Sequence, residues 1–399
     1  MVRYISVKLV FRAQERKFTS ERTRTAGNYR SSVTKMSEGM KKKAMVAMSG
    51  GVDSSVAAYL MIERGFETIG VTMKLFDAEL IGREVESSCC SLSDVEDARS
   101  VANRLGIKHY VFNFQDDFRT CVVDRFVDAY EKGLTPNPCI DCNRFIKFKR
   151  LMHRARELEQ DYVVTGHYVR NGVDANGRHL LMRGLDRSKD QSYVLYSLTQ
   201  DELKQSIFPL GELTKDETRD IAEAQGFLNA KKKDSQDICF VPDGNYESFI
   251  REYTGKDYPE GEFVSVGGDI LGTHKGLVNY TIGQRKGLGL ALPEPLYVKE
   301  KDVEGNRIIL ARNDELYSKT AAVEDVNWIA IEGLTSDLNC TVKVRYSQSD
   351  HEAKLIPISE NEVRVEFKKP ERAITPGQAA VFYDGDVVIG GGTIRAARE

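Results

Sequence analysis

The sequence predicts an α/β fold: a doubly wound parallel sheet, followed by a small central domain and a C-terminal β-barrel. Three observations support this prediction. Between residues 44 and about 200, short apolar runs typical of buried strands alternate with apolar residues at helical spacing. Residues 240–290 are rich in glycine and have only short strand-like runs. From about residue 295 onward, strand-like runs are separated only by turns.

The bulk composition sets the class of protein. A chain of 399 residues is long enough for two or three domains. It contains no apolar run long enough to cross a bilayer, so we expect no membrane association. It has seven cysteines, an odd number, and no secretory signal. These two features favour a reducing compartment, and we therefore expect a cytoplasmic protein.

Charge is distributed unevenly along the chain. The net charge is −3, yet residues 1–43 carry twelve lysines and arginines against three acidic residues. They lack helical or strand periodicity, and we expect them to be a basic, disordered extension. Changes of pattern predict a catalytic domain over 44–208, a central domain over 209–290 and the barrel over 291–399. A nucleic-acid partner would have to be held by local basic patches rather than by the global charge.

The first βα unit carries the strongest local signal. Val46–Met48 is predicted to end a buried strand and Ser49–Gly51 to form a tight turn. Asp53–Ser55 supplies N-cap residue types for a helix that ends at Gly65. Such a unit presents backbone N–H groups and the positive end of the helix dipole to an anion. No Gly-Lys-Ser/Thr follows at Walker A spacing, so the sequence predicts a phosphate-binding loop of another type.

The next units repeat this alternation. Predicted strands are Thr68–Met73, His109–Phe114 and Tyr162–Thr165; predicted helices follow a capping box at Ser93–Glu96, an apolar run from Phe118 to Gly133, and the proline-punctuated loop TPNPCIDCN. Parallel strands end at one edge of their sheet. We therefore expect the glycine turn, Met73, the C-x-x-C loop and Gly166-His167 at the same edge.

Beyond Leu198 the pattern changes. Thr214 and Glu217 predict a capped helix ending at Gly226, and a polar connector over 231–237 leads to Cys239. Predicted strands of the β-rich part are Tyr297–Lys299, Arg307–Leu310, Thr341–Tyr346, Lys354–Ile358, Val363–Phe367, Ala380–Tyr383 and Val387–Ile389. Asp384-Gly385, between the last two, predicts a hairpin.

Nine motifs in order across residues 44–399 resemble the tRNA-specific 2-thiouridylase family of PP-loop ATP pyrophosphatases. They are MSGGVDSS, VTMK, TPNPCIDCNRFIKF, TGHY, KDQSYVLY, KKKDSQDICF, GQRKGLG, VRYSQ and TPGQ. The resemblance implies ATP-dependent 2-thiolation of the wobble uridine in tRNA. AMP is transferred to the uridine 2-oxygen with release of pyrophosphate, and sulfur then displaces the adenylated oxygen. In this family ATP, with Mg²⁺ bridging its phosphates, would be bound by Ala47, Met48, Ser49, Gly50, Gly51, Val52, Asp53, Ser54, Met73 and Gly166.

Sulfur transfer requires reactive thiols. By resemblance, Cys142 is a nucleophile, and Cys239 carries a persulfide supplied by a sulfur-donor or sulfur-relay protein. Basic residues follow Cys142 at a helix N-terminus, which should lower its pKa. Many family members have an Asp with a general acid/base role where this chain has Cys139. Asp141 is out of register for that role.

Two interpretations of these cysteines remain open. Cys139, Cys142 and Cys239 supply three thiolates, which suit a [4Fe–4S] cluster with one open iron. Alternatively, Cys142 and Cys239 work as a redox pair without a metal. A structural zinc site is disfavoured because no fourth ligand lies nearby. Cys89 and Cys90 are interpreted as incidental.

The resemblance also assigns the RNA contacts, with the anticodon loop and its wobble uridine as partner. Asn137, Pro138 and Cys139 would line the target base, and other tRNA contacts would come from His167, Lys189, Asp190, Gln191, Arg345, Tyr346 and Gln378. The basic helix after Cys142 would contact phosphates. Two alternative functions are another PP-loop ligase or synthetase, which would leave both cysteines without a role, and a non-catalytic tRNA-binding protein. The intact loop and cysteines argue against the second.

Overall fold

A five-stranded parallel sheet organises the first half of the chain. The computed structural model describes residues 30–31, 41–76, 92–232, 238–241 and 244–398. In spatial order the strands are His109–Asn113, Glu67–Lys74, Lys43–Ala47, Tyr162–Val164 and Ser206–Ile207. All pairings are parallel, which confirms the predicted α/β class. The strand order reverses between Lys43–Ala47 and Tyr162–Val164, and such a switch point is where ligands bind in these sheets.

The central strand separates two hydrophobic cores. Its side chains alternate, so that Met45 and Ala47 face one core while Ala44 and Val46 face the other. Both faces are therefore covered, as a parallel sheet requires. The first core also includes Cys142, Phe240 and Val381, so it extends from the sheet into the β-rich part of the chain.

Helices of the described residues lie mostly in the first half of the chain. The α-helices are Val52–Glu63, Leu92–Leu105, Gln115–Phe118, Asp124–Glu131, Pro138–Asp141, Leu151–Glu157, Gln200–Lys204, Lys215–Ala224 and Tyr246–Thr254; the π-helical segments are Arg119–Val123 and Cys142–Arg150; the 3₁₀ turns are Ser192–Leu195, Leu277–Asn279 and Asp314–Leu316. The predicted capping box of Thr214 and Glu217 is confirmed. The one predicted at Ser93 is wrong, because that helix already begins at Leu92. No helix in the described ranges combines the length and apolar character needed to cross a membrane.

A β-hairpin, and the grouping of four strands into a separate mixed sheet, were not predicted. The hairpin Val169–Val173/His179–Arg183 follows the fourth strand of the parallel sheet, and the short strand Arg30–Ser31 pairs with its outer edge. A separate four-stranded sheet has the order Ile270–His274, Gly261–Ser265, Arg307–Ala311 and Tyr297–Asp302. The predicted strands at 297 and 307 belong to this sheet.

Six antiparallel strands form a closed barrel. Around the ring they are Val387–Arg398, Tyr317–Trp328, Glu362–Arg372, His351–Ser359, Leu338–Lys343 and Ala379–Asp384, which pairs again with Val387–Arg398. This confirms the predicted C-terminal β-barrel. The predicted Asp384-Gly385 hairpin is also confirmed, with Gly385 at φ +55°. The domain boundaries at 208 and 290 stay a prediction.

Candidate active site

The glycine turn after Lys43–Ala47 is held in one shape by close packing. Gly50 has φ +73°, and a Cβ there would lie 2.5 Å from the backbone oxygen of Asp94, so only glycine fits. The N-cap is Gly51 rather than any of the predicted capping types at 53–55. The hydroxyls of Ser54 and Ser55 instead donate to the Gly51 oxygen, at 3.1 and 3.0 Å. These bonds fold the turn against the first helical turn.

Asp53 is held by two groups from distant parts of the chain. Lys215 Nζ donates to both carboxylate oxygens, at 2.7 and 2.8 Å, and the Tyr168 hydroxyl donates to one of them at 2.8 Å. The Lys215 side chain is only 9% exposed. A buried ion pair therefore lies beside the N-terminus of this helix, whose dipole favours an anion.

The switch point brings the remaining predicted nucleotide residues to this turn. A Cβ on Gly166 would lie 2.9 Å from the carbonyl carbon of Asp53 and from the backbone nitrogen of Ser54. The two loops therefore touch through their backbones. Met73 lies near the end of the neighbouring strand, two residues beyond Val71, which pairs with Ala47. The sheet thus gathers residues 47–54, Met73 and Gly166 at one edge, while their contact with ATP stays a prediction.

Sequence reasoning missed two residues that support the turn. The buried Asn229 donates to the backbone oxygen of Gly50 and to the Ser55 hydroxyl, both at 2.9 Å. Lys232 donates to Asp94 and Asp97, both at 2.7 Å, and so fixes the helix against which Gly50 packs. Lys232 lay in the predicted polar connector. Nothing in the local sequence links either residue to a turn about 180 positions earlier.

The C-x-x-C pair opens a helical run, which we call the cysteine helix: Pro138–Asp141, Cys142–Arg150 and Leu151–Glu157 in succession. The loop predicted over TPNPCIDCN is therefore wrong from Pro138 onward. Proline fits the first helical position because its missing N–H needs no partner there, and the Asn137 side chain caps the run by accepting from the Cys139 N–H at 3.1 Å. Cys139 is exposed and Cys142 is buried. The π-helical segment begins at Cys142, and such segments are common at functional sites.

Charged and polar groups surround Cys142. Burial raises the pKa of Asp141, against the opposing effect of Arg125, whose Nε lies 3.3 Å from that carboxylate. Arg144 pairs with Asp325 of the barrel at 2.8 Å. The buried Asn143 donates to the backbone oxygen of Val194 at 3.0 Å. These contacts fix the start of the π-helical segment; the lowered pKa of Cys142 stays a prediction.

Cys239 packs against the same core that contains Cys142. Its neighbour Phe240 anchors it, with edge-on ring contacts to Phe118 and Phe126 at centroid distances of 5.8 and 5.3 Å. Among the described residues no group of three His, Cys, Asp or Glu side chains is close enough to hold a metal ion. Cys139, Cys142 and Cys239 therefore do not form a ligand set in this conformation. Cys89 and Cys90 lie outside the described residues.

Several predicted tRNA residues make internal contacts. His167 is 7% exposed, and its Nδ1 shares a 2.7 Å hydrogen bond with the Thr165 hydroxyl. Burial, with a smaller effect of Lys147, holds the pKa of His167 well below its usual value. Asp190 is buried and accepts from the Ser192 hydroxyl at 2.9 Å.

Two further residues of this predicted set are bound to their neighbours. Gln191 accepts from the Tyr168 N–H at 3.0 Å, and the Lys189 N–H donates to the Asp186 oxygen. The RNA-binding roles of His167, Lys189, Asp190 and Gln191 stay predictions.

The other predicted tRNA residues lie beside the start of the cysteine helix. Residues 375–378, which we call the clamp loop, contact the segment before Asn137: the Gln378 side chain donates to the Thr135 oxygen at 2.8 Å. Arg345 donates to the Ala373 oxygen and to the Thr375 hydroxyl, at 2.6 and 2.7 Å.

Tyr346, by contrast, is 43% exposed. Burial, then the nearby charges of Asp190 and Cys139, raises the pKa of Tyr346. The structure thus brings Asn137, Pro138, Cys139, Tyr346 and the clamp loop to one place.

Comparison with known proteins agrees with the motifs. Residues 42–243 match the tRNA methyl transferase HUP domain, 247–312 the tRNA methyl transferase PRC-barrel domain, and 318–394 the aminomethyltransferase beta-barrel domain. The chain is 50% identical over 383 residues to the tRNA-specific 2-thiouridylase MnmA of Symbiobacterium thermophilum, covering 94% of this chain and 97% of that protein. It is 49% identical over 357 residues to the MnmA of Acetivibrio thermocellus, covering 89% and 99%. The chain therefore belongs to the tRNA-specific 2-thiouridylase family.

Proposed function

We propose that this protein catalyses the ATP-dependent 2-thiolation of the wobble uridine in the anticodon loop of tRNA, in the cytoplasm. The relatives that carry this name match it at half identity over nearly their whole length. The proposal rests on the contact between the glycine turn and Gly166 at the switch point of the sheet. The same chain places Cys142 in a core against which Cys239 also packs. A phosphate site and two thiols are what this reaction needs.

The first step is adenylation of the uridine 2-oxygen. A carbonyl oxygen is a poor leaving group, and transfer of AMP from ATP makes it a good one, with pyrophosphate released. The backbone N–H groups of the turn and the first helical turn would stabilise the phosphates as charge moves, assisted by the Lys215 ammonium. Both oxygens of Asp53 already accept from Lys215, so this carboxylate is not open to Mg²⁺ here.

The second step transfers sulfur. A sulfur-donor protein loads Cys239 as a persulfide, whose terminal sulfur attacks C2 of the adenylated uridine while AMP leaves with the former 2-oxygen. The Cys142 thiolate then attacks the Cys239 sulfur. The bond between the Cys239 sulfur and the sulfur on C2 breaks. The outer sulfur stays on C2 as 2-thiouridine, and Cys142 and Cys239 become joined in a disulfide. A small-molecule or protein thiol reductant restores both thiols.

The metal-free route is favoured over the cluster by the arrangement of the cysteines. The described residues do not offer a [4Fe–4S] cluster its three ligands, so no step passes through iron. Preparation without oxygen tests this choice. Stoichiometric iron together with loss of activity in Cys139→Ala would overturn the metal-free route, whereas an iron-free, active protein would support it.

The proposed function is tested by separating the two steps. With wobble-uridine tRNA, the wild type should form AMP and pyrophosphate and, given a persulfide donor, 2-thiouridine. Cys142→Ser and Cys239→Ser should each abolish thiolation, and Cys239→Ser should still form AMP. Cys340→Ser, in the barrel, is the matched control and should keep both activities. AMP formation without tRNA would favour a PP-loop synthetase instead, and tRNA binding without any AMP would favour a non-catalytic binder.

A further inference from the structure

The strand Leu338–Lys343 ends at a basic residue, and a second one, Arg345, follows two residues later. The two side chains are used differently. Arg345 makes internal contacts: its Nη2 donates to the backbone oxygens of Ile282 and Ala373 and to the Thr375 hydroxyl. Lys343 is 9% exposed, yet in the part of the chain that the structure describes its ammonium makes neither an ion pair nor a hydrogen bond. This ammonium is therefore available to pair with an anionic ligand.

The ammonium of Lys343 lies beside two neighbouring tyrosine rings. Its Nζ is 5.7 Å from the ring centre of Tyr193 and 5.5 Å from that of Tyr346, and the two rings are 6.1 Å apart. Tyr193 is fully buried and its hydroxyl donates a hydrogen bond to the Ala379 oxygen, so packing and this bond fix the position of its ring. Tyr346 is half exposed and gives the cation one open aromatic neighbour.

The carboxylates nearest to Lys343 are already engaged. Asp190 accepts from the Ser192 hydroxyl and lies 3.8 Å from the Arg183 guanidinium. Asp350 pairs with the same Arg183 at 3.0 Å. Burial, opposed by Asp190, lowers the pKa of Lys343. An anion from outside the protein would pair with this ammonium without displacing an internal ion pair.

The position of this pair relative to the thiols follows from packing. The turn Ser192–Leu195, which contains Tyr193, contacts both the first turn of the cysteine helix and the π-helical segment that follows it. The Asn143 side chain donates to Val194 in the same turn. The Tyr193 ring, 6.1 Å from that of Tyr346, thus connects this pair to the turn that packs on the cysteine helix. Tyr346 also lies close enough to the exposed Cys139 for the charge of that thiol to raise the pKa of Tyr346.

We propose that Lys343 binds a phosphate of the anticodon loop while Tyr346 stacks on the adjoining base, so that the two hold the strand on which the target uridine lies. An aromatic ring with a neighbouring cation is the common means of binding single-stranded RNA. This inference rests on the proposed tRNA function and adds Lys343 to its machinery. The predicted tRNA contact of Arg345 stays a prediction beside it.

The salt dependence of RNA binding tests the phosphate contact. We would titrate the full-length protein with a labelled anticodon stem-loop containing a wobble uridine, between about 50 and 200 mM salt. Lys343→Met should weaken binding roughly tenfold, the value of a charged hydrogen bond, and reduce the slope of log K against log salt by about 0.7. Lys343→Arg should keep the slope. Lys368→Met, an exposed lysine paired with Glu352, should leave affinity and slope unchanged.

Stability separates an RNA contact from a packing role. Methionine removes the uncompensated charge and fills its space, so the melting temperature of Lys343→Met should not fall. Tyr346→Phe should keep RNA affinity, and Tyr346→Leu should lose roughly fivefold or more, the value of one stacked base. An unchanged salt slope in Lys343→Met, or weaker binding explained by a lower melting temperature, would overturn the proposal. If the wild type binds the stem-loop but never thiolates it, the proposed function fails while this contact stands.

Discussion

The side chain of Gln378 donates a hydrogen bond of 2.8 Å to the backbone oxygen of Thr135. In return the Thr135 N–H donates to the Pro376 oxygen at 3.0 Å. Two bonds therefore join the clamp loop of the barrel to the segment that leads into the cysteine helix. Asn137 caps that helix two residues later. The barrel therefore helps to fix the position at which the cysteine helix, with Cys139 and Cys142, begins.

Gly377→Ala should uncouple the barrel from the thiols. Gly377 has φ +89°, and a Cβ there would lie 2.9 Å from the Thr135 nitrogen, so alanine displaces the segment as well as straining the backbone. We expect kcat for thiolation to fall at least roughly tenfold, in line with a misplacement of about 1 Å. Gly385→Ala is the control, since it has the same type of strain at φ +55° with nothing within 4 Å. Equal activity of the two variants in a single-turnover assay would contradict the clamp.

Lys215→Met should weaken use of ATP. The substitution removes the cation beside the phosphate cradle and leaves Asp53 without its ion pair, so we expect the KM for ATP to rise roughly tenfold or more, with a lower melting temperature. The double variant Asp53→Asn/Lys215→Met should recover stability but not ATP use, which a double-mutant cycle measures. Lys132→Met breaks an exposed ion pair with Asp128 and should change neither the KM for ATP nor the melting temperature. Normal adenylation by Lys215→Met would remove this lysine from the cradle.

His167 should make the fold sensitive to acid. Because burial depresses its pKa in the folded state, the unfolded chain binds more protons below about pH 6.5, and the free energy of unfolding falls as the pH drops, by up to about 1.4 kcal/mol per pH unit. Urea unfolding between about pH 7 and pH 5 should therefore show a shallower loss in His167→Gln than in the wild type. The exposed His153 is the control, and His153→Gln should follow the wild type. Parallel curves for His167→Gln would refute the assignment.

Lys301 should be a site where removing a charge stabilises the protein. Its buried Nζ has no hydrogen-bond partner among the described residues and lies 5.5 Å from the centre of the Tyr130 ring; burial lowers the pKa of Lys301 to about 8. Below that pH the folded protein must bury a charge, and this cost disappears as the pH rises toward the unfolded value. Lys301→Met should therefore raise the free energy of unfolding near neutral pH by roughly 2–4 kcal/mol and have little effect above about pH 10. If Lys301→Met raised the free energy of unfolding at neutral pH by no more than Lys319→Met, a substitution of an exposed lysine, the prediction would be wrong.

The parallel sheet and its glycine turn were predictable because their signal is contiguous in sequence. Apolar runs fix the strands, and the spacing of Gly50 and Gly51 fixes the turn. Lys215 and Asn229 were not predictable, because the tertiary fold alone carries them to Asp53 and Gly50, and neither lies in a local pattern that marks a site.

The cysteine helix and the barrel show a different limit. The prolines of TPNPCIDCN predict a loop, but Pro138, preceded by the capping Asn137, starts a helix. The strand Tyr317–Trp328 was missed because its alternation breaks where the register with Val387–Arg398 shifts, once between Ala322 and Val323 and again between Glu324 and Asn327. The second shift contains Asp325, at φ +51°. The two partner strands of Tyr317–Trp328, rather than its own sequence, hold it in the sheet.

The support of the glycine turn by Asn229 and Lys232 has a consequence for biosynthesis. The turn itself is made early, but the groups that hold its carbonyl and its neighbouring helix are made nearly two hundred residues later. A nascent chain still lacking those residues has the nucleotide motif without its scaffold. We therefore expect the turn to reach its supported shape only late in translation, once Asn229 and Lys232 have been made.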